Sequence, residues 1–244
     1  MANQTHQELT MSALDLYLKK HYLNKAQFAV ACLCKETDIE ALIQAQLLAA
    51  PSYVVTDNAK ILSAVFGEMD AVNTSAGAYF HPANVIWHTQ VLQLIDQHGR
   101  DAAPAILKEN FIRDFIAALT EMHHTTWRLE DCFTADDQPI VSGLMQRAEF
   151  SWQHFLLGTF GLCVTHPVSV SAIVRKEILQ EKLAHLSDNG NKENFTSAEA
   201  KALLPVVDAF AEAAMWFSPA EYPRCSRKRL VDDLRPRLLA AMAA

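Results

Sequence analysis

The sequence predicts a mainly α-helical protein in two parts. Residues 1–78 read as a winged helix-turn-helix-like module, and residues 79–244 as a larger all-α helical bundle domain. Three observations carry this. Half of the 244 residues are hydrophobic, while Gly (7) and Pro (9) are few. That composition favours long helices over loops and is enough for a sizeable core. Apolar residues recur at helical spacing through most of the chain after His81. Between residues 7 and 66, three short helical segments are followed by two β-rich runs separated by a turn.

Gln7–Lys20 sets Leu9, Ala13, Leu16 and Tyr17 on one helical face. Asn24 suits the N-cap of a second helix through Leu33, and the Thr37/Glu40 pair has the capping-box spacing for a third, which Pro51 stops. Ser52–Thr56 and Ile61–Phe66 flank the turn residues Asp57-Asn58 and read as a hairpin. Gly67–Phe80 collects Asp70, Asn73, Thr74, Ser75 and Gly77 and reads as a linker. Pro82 opens a helix that Gly99 ends. Asp101 then caps a helix whose apolar stripe runs from Phe111 to Phe133. After the turn Asp136–Pro139, Ile140–Val164 reads as one long central helix. Further helices run from Ser169 or Ser171 to Leu186, from the Thr196/Glu199 capping box to Phe217, and from Ser226 onward with a break near Pro236.

Charge narrows the function classes. The net charge is −7, whereas a chain built to grip phosphate backbones is basic. Residues 1–80 hold five Lys, no Arg and eight acids, three of them (Glu36, Asp38, Glu40) at the start of the would-be recognition helix. Nucleic acid is therefore an unfavoured partner. The five cysteines have neither zinc-knuckle nor CxxC spacing and read as reduced, buried thiols. The N-terminus lacks an apolar leader segment. The longest apolar run, Phe155–Val164, is too short to span a bilayer. The expected location is the cytoplasm, without membrane association; self-association is left open.

Two clusters could carry chemistry. Glu121 and His124 have the Glu-x-x-His spacing of helical di-iron sites, and Glu177, Glu181 and His185 recur every four residues on another helix. As a set the five are the catalytic candidates. Glu121, His124, Glu181 and His185 are the candidate ligands of a pair of iron or manganese ions, which accept oxygen and imidazole. The same spacings also suit an ordinary solvated face, in which Glu177 and Glu181 sit beside Lys176 and Lys182. The second cluster is Arg224, Arg227, Lys228 and Arg229, a concentrated positive run at a helix start. It is either an anion site or a set of ion pairs with Asp232 and Asp233.

The segments Pro51–Val55, Ser63–Met69, Tyr79–Pro82, His154–Val164, Arg175–Leu183 and Phe217–Pro236 resemble a family of bacterial proteins of unknown function labelled as natural-product biosynthesis proteins. The resemblance implies a specialised-metabolite setting, and it brings no catalytic residues with it. Two expectations follow. One is an enzyme or accessory protein acting on a small or carrier-bound metabolite, which the basic run allows to be anionic. The alternative is a ligand-responsive DNA-binding transcription regulator.

Overall fold

The computed structural model describes residues 11–243. Among them are ten α-helices and a small antiparallel sheet. The order is α1 (Ala13–His21), β1 (Leu23–Asn24), α2 (Lys25–Ala31), α3 (Glu36–Gln44), β2 (Tyr53–Val55), β3 (Lys60–Ser63), β4 (Gly67–Asp70) and β5 (Gly77–Phe80). Then come α4 (Asn84–His98), α5 (Ala103–Thr125), α6 (Val141–Leu156), α7 (Phe160–Cys163), α8 (Val170–Leu186), α9 (Ser197–Ala213) and α10 (Leu234–Ala243). A wide-turn helical segment, Lys228–Asp232, precedes α10.

Local chemistry explains several boundaries. Asn24 and Gln27 form a reciprocal capping box at α2, and Thr196 and Glu199 form another at α9. Ser12 caps α1, and the first turn expected from Gln7, with Leu9, lies outside the described residues. At α3 the cap differs from the expected Thr37/Glu40 pair. The Asp38 carboxylate accepts the Lys35 N–H at 3.0 Å, so the helix starts at Glu36. Gly99 ends α4 at φ +81°, as its position predicts.

The sheet has the strand order β1-β5-β2-β3-β4. The expected hairpin is present, with Tyr53 opposite Ser63 and Val55 opposite Ile61. The expected linker 67–80 is instead strands β4 and β5. β4 is an edge strand with little burial, so it carries no apolar alternation to read, and β5 is recognisable only after its pairing with β1 and β2. The single helix expected over Ile140–Val164 is two. Gly158 breaks it at φ +76°, where a Cβ would lie 2.3 Å from the Ala50 carbonyl oxygen. Helix α5 stops at Thr125, and Leu129 and Phe133 belong to the turn after it.

One core cluster runs from Leu14 to Cys225, through the sheet and helices α1–α8, across the expected boundary at residue 78. A smaller cluster joins α8, α9 and α10 around Leu183, Phe210 and Leu234. Helix α8 contributes to both clusters, which gives it the central place expected of Ile140–Val164. The fully buried Glu221 ties the sheet to the C-terminal part: its carboxylate accepts from Tyr53, from Ser63 (2.5 Å) and from Ser218 (2.7 Å). Three hydroxyl donors satisfy a carboxylate that burial would otherwise penalise.

Candidate functional site

The five catalytic candidates do not converge. Glu121 is exposed on α5 and lines a cleft of about 550 Å³ with His166, Arg175 and Glu212. His124 is exposed beside His123 and Phe133. Glu181 is held by Arg147 at 2.6 and 3.2 Å, and the same guanidinium grips Asp131 at 2.6 and 2.9 Å. His185 packs on the Trp127 ring with centroids 5.2 Å apart. Glu177 bonds its neighbour Lys176 at 2.8 Å. The di-metal set Glu121, His124, Glu181 and His185 is therefore not assembled. Helical spacing aligned residues within each helix, but α5 and α8 pack through their apolar faces and leave these groups on separate surfaces.

Among the described residues, one trio of possible ligands does meet: His123, His124 and Asp137, with donor atoms within 4.8 Å of one another. The bonding of His123 does not suit a metal. Its Nδ1 accepts the Leu129 N–H at 2.9 Å, so the proton sits on Nε2, which faces Asp137 at 3.3 Å. Both ring nitrogens are occupied, and the ring stacks on Phe133. This histidine fastens the turn after α5.

The basic run also disperses. Arg227 is buried and donates to the carbonyls of Ala211 and Ala214 at the end of α9, with its guanidinium 3.7 Å from the Trp216 ring centroid. Lys228 pairs with Asp233 at 2.6 Å. Arg224 lies over the Phe66 ring, and the Arg229 side chain covers Gly190. The four side chains point to four different partners. The ion-pair alternative holds for Lys228; Asp232 instead accepts from Tyr222.

A different group of residues forms a half-open pocket with one polar wall. Helices α6 and α8 both pack on α5 but not closely on each other, and a cavity of about 340 Å³ lies where they diverge. Its apolar wall includes Phe66, Phe150, Phe160 and Phe217. Its polar wall is Ser151, His154, Thr159, Lys176, Glu177 and Gln180. Lys176 is the unusual member, with 3% exposure. It projects from α8 because that helix is packed by α5 and α9 on its other sides. Burial alone would favour the neutral amine, but the Glu177 carboxylate outweighs this and holds the Lys176 pKa above its ordinary value. The group is a fixed ammonium with a single hydrogen-bond partner among the described residues. Cys163 lines the same cavity, and burial pushes its pKa up to about 11 despite the nearby lysine. It is a thiol at neutral pH and a poor nucleophile. Gln180 carries a buried side-chain oxygen with no partner, and His154 Nδ1 lies 3.2 Å from the Thr159 hydroxyl.

The sequence reading missed this pocket because it placed Lys176 on a solvated face with Glu177. A signal was present. Ile173, Lys176, Leu179 and Leu183 stand at helical spacing, so the lysine occupies an apolar stripe.

The fold and this cavity define a mainly helical protein with a small antiparallel sheet and, between two helices, a largely apolar pocket that holds a buried lysine. The chain belongs to the family of unknown function DUF6058, whose model matches residues 107–239, from within α5 into α10 and hence every residue lining the cavity except Ala64, Val65 and Phe66. No curated protein and no solved structure matches it. No helix among the described residues is long and apolar enough to cross a membrane.

Proposed function

We propose that this protein binds a small organic anion in the cavity between α6 and α8, as an accessory or metabolite-handling protein. The observation that carries the reading is Lys176. A buried charge costs several kcal/mol unless it is compensated, and here the compensation is one exposed-side carboxylate, with the ammonium's remaining N–H donors to satisfy. A carboxylate ligand completes the set, while the phenylalanine wall takes an apolar body. The protonated Lys176 and the un-ionised Cys163 suit binding rather than nucleophilic attack. A setting in natural-product biosynthesis, acting on a small or carrier-bound acid, is compatible with this pocket.

Calorimetric titration of octanoate against octanol tests it. A charge-assisted contact is worth about 1.5–3 kcal/mol, so the acid is expected to bind about tenfold to a hundredfold tighter than the alcohol. Lys176→Met is expected to abolish that preference while leaving the far-ultraviolet circular dichroism unchanged. Equal affinity for the two compounds, or no saturable octanoate binding, would overturn the reading.

The regulator alternative draws on the α2–α3 helix pair and the hairpin after it. The solvent face of α3 presents Glu36, Asp38 and Glu40, with Lys25 already paired to Glu36 and Glu40. That acidic face disfavours a phosphate backbone, so a regulator role is not the reading proposed.

A further inference from the structure

The Lys176 cavity has a continuation. A second cavity of about 310 Å³ lies beside it and shares four lining residues with it: Phe150 and Ser151 from α6, Glu177 and Gln180 from α8. Its floor is Phe115 and Leu119 of α5, and its far end is the Arg147–Glu181 ion pair that bridges α6 to α8. The two cavities are therefore successive stretches of one groove walled by α6 and α8, of which the second is floored by α5. On α6 the lining positions run from Arg147 to His154, about 10 Å of helix at 1.5 Å per residue. The polar groups of the groove are unevenly placed. The buried ammonium lies toward one end, the Gln180 amide lies midway, and the lower stretch is Phe115, Leu119, Ile178 and Ala184. Phe150, 66% exposed, stands over the junction.

We infer that the ligand is an extended acyl-chain carboxylic acid, with its carboxylate at Lys176 and its tail along α5 beneath Phe150 toward Arg147. The inference rests on the anion-binding reading above and adds the shape of the ligand. One cation at one end specifies an amphipath with a single charged terminus. An apolar floor continuing past that end specifies length. Arg147 closes the groove without recruiting a second anion, because two carboxylates, Glu181 and Asp131, already outnumber its charge and take four of its N–H contacts, whereas Lys176 has one carboxylate partner and N–H donors to spare.

The experiment is calorimetric titration of the intact protein with octanoate, decanoate and dodecanoate, repeated on Ala184→Phe. Ala184 is half-buried on the wall of the second cavity only, so the added ring fills the tail end and leaves Lys176 untouched. Each fully buried methylene contributes roughly fourfold in affinity. Dodecanoate is therefore expected to bind at least tenfold tighter than octanoate. In Ala184→Phe, octanoate is expected to stay within about twofold of the parent while the gain with length disappears. A flat length profile with octanoate bound overturns the extended groove and leaves the anion site standing. So does an Ala184→Phe variant of unchanged circular dichroism that keeps the length dependence. Should the variant not fold, a dodecanoate carrying a photoreactive group at its last carbon supplies the second readout. Labelling of α5 or α8 near Leu119 and Ala184 supports the inference, and labelling confined to the Phe217 region overturns it. No binding by any acid overturns both readings.

Discussion

At the residue scale, buried titratable groups set measurable behaviour. His81 is buried between the sheet and α7, and its Nδ1 accepts the Ala83 N–H at 3.1 Å. Burial lowers its pKa to about 4 from an ordinary 6.5. Between those values the unfolded chain binds the extra proton and the folded one does not, so stability rises with pH across that window and falls on acidification. The full swing is about 3 kcal/mol. Urea unfolding at pH 4 and pH 6.5 is expected to show a steeper loss for the parent than for His81→Gln; equal slopes would remove His81 from the account. Glu221 acts differently. Its carboxylate is satisfied by three hydroxyls, so Tyr53→Phe leaves one acceptor site less well served, and a loss of about 1–2 kcal/mol is expected in the same assay.

At the element scale, close approaches decide where helices can pass. Gly143 lies in the first turn of α6, where helix propensity alone would make Ala better by up to about 1 kcal/mol. A Cβ there would stand 1.8 Å from the Asp131 carbonyl oxygen, a backbone atom that cannot swing aside. The contact outweighs the propensity, and Gly143→Ala is expected to destabilise by about 1–3 kcal/mol. It would also displace Asp131, one of the two carboxylates that position Arg147 at the end of the groove. A gain in thermal midpoint for this variant would show that the 131–132 turn yields easily. Helix α8 carries the largest element-level consequence. It is packed on two sides by separate clusters, so its remaining face is the one that can present a buried cation to a cavity.

At the scale of the whole molecule, the continuous core makes residues 11–78 and the chain after them interdependent. Tyr22 of the N-terminal part donates to the Gly161 carbonyl at 2.9 Å, Tyr17 donates to that of Trp216 at 2.6 Å, and Ala50 N–H reaches the Leu156 carbonyl at 2.8 Å. Cutting at residue 78 would expose these partners and split the Leu14–Cys225 cluster. A fragment of residues 79–244 is expected to lack a cooperative thermal transition. A sharp transition near that of the full chain would mean that the C-terminal part is an independent domain.

Sequence alone determined what depends on near neighbours along the chain. Helical content follows from composition and apolar spacing; the N-cap at Asn24, the capping box at Thr196 and Glu199, and the stop at Gly99 follow from local hydrogen bonding and backbone freedom. The hairpin 53–63 was legible because its turn and its β-rich runs are contiguous. Strands β4 and β5 were not, since an edge strand gains its structure from a partner rather than from its own pattern. The site divided the same way. Glu177 and Glu181 were visible as carboxylates at regular spacing, but whether they met a metal, a lysine or an arginine depended on which helices faced them. Tertiary structure gave Glu181 to Arg147 and Glu177 to Lys176. It also turned that lysine, one residue away from a site candidate, into the buried charge around which the groove is built. Burial is a property of the assembled helices, and a charge acquires its energetic weight only when water has been removed from around it.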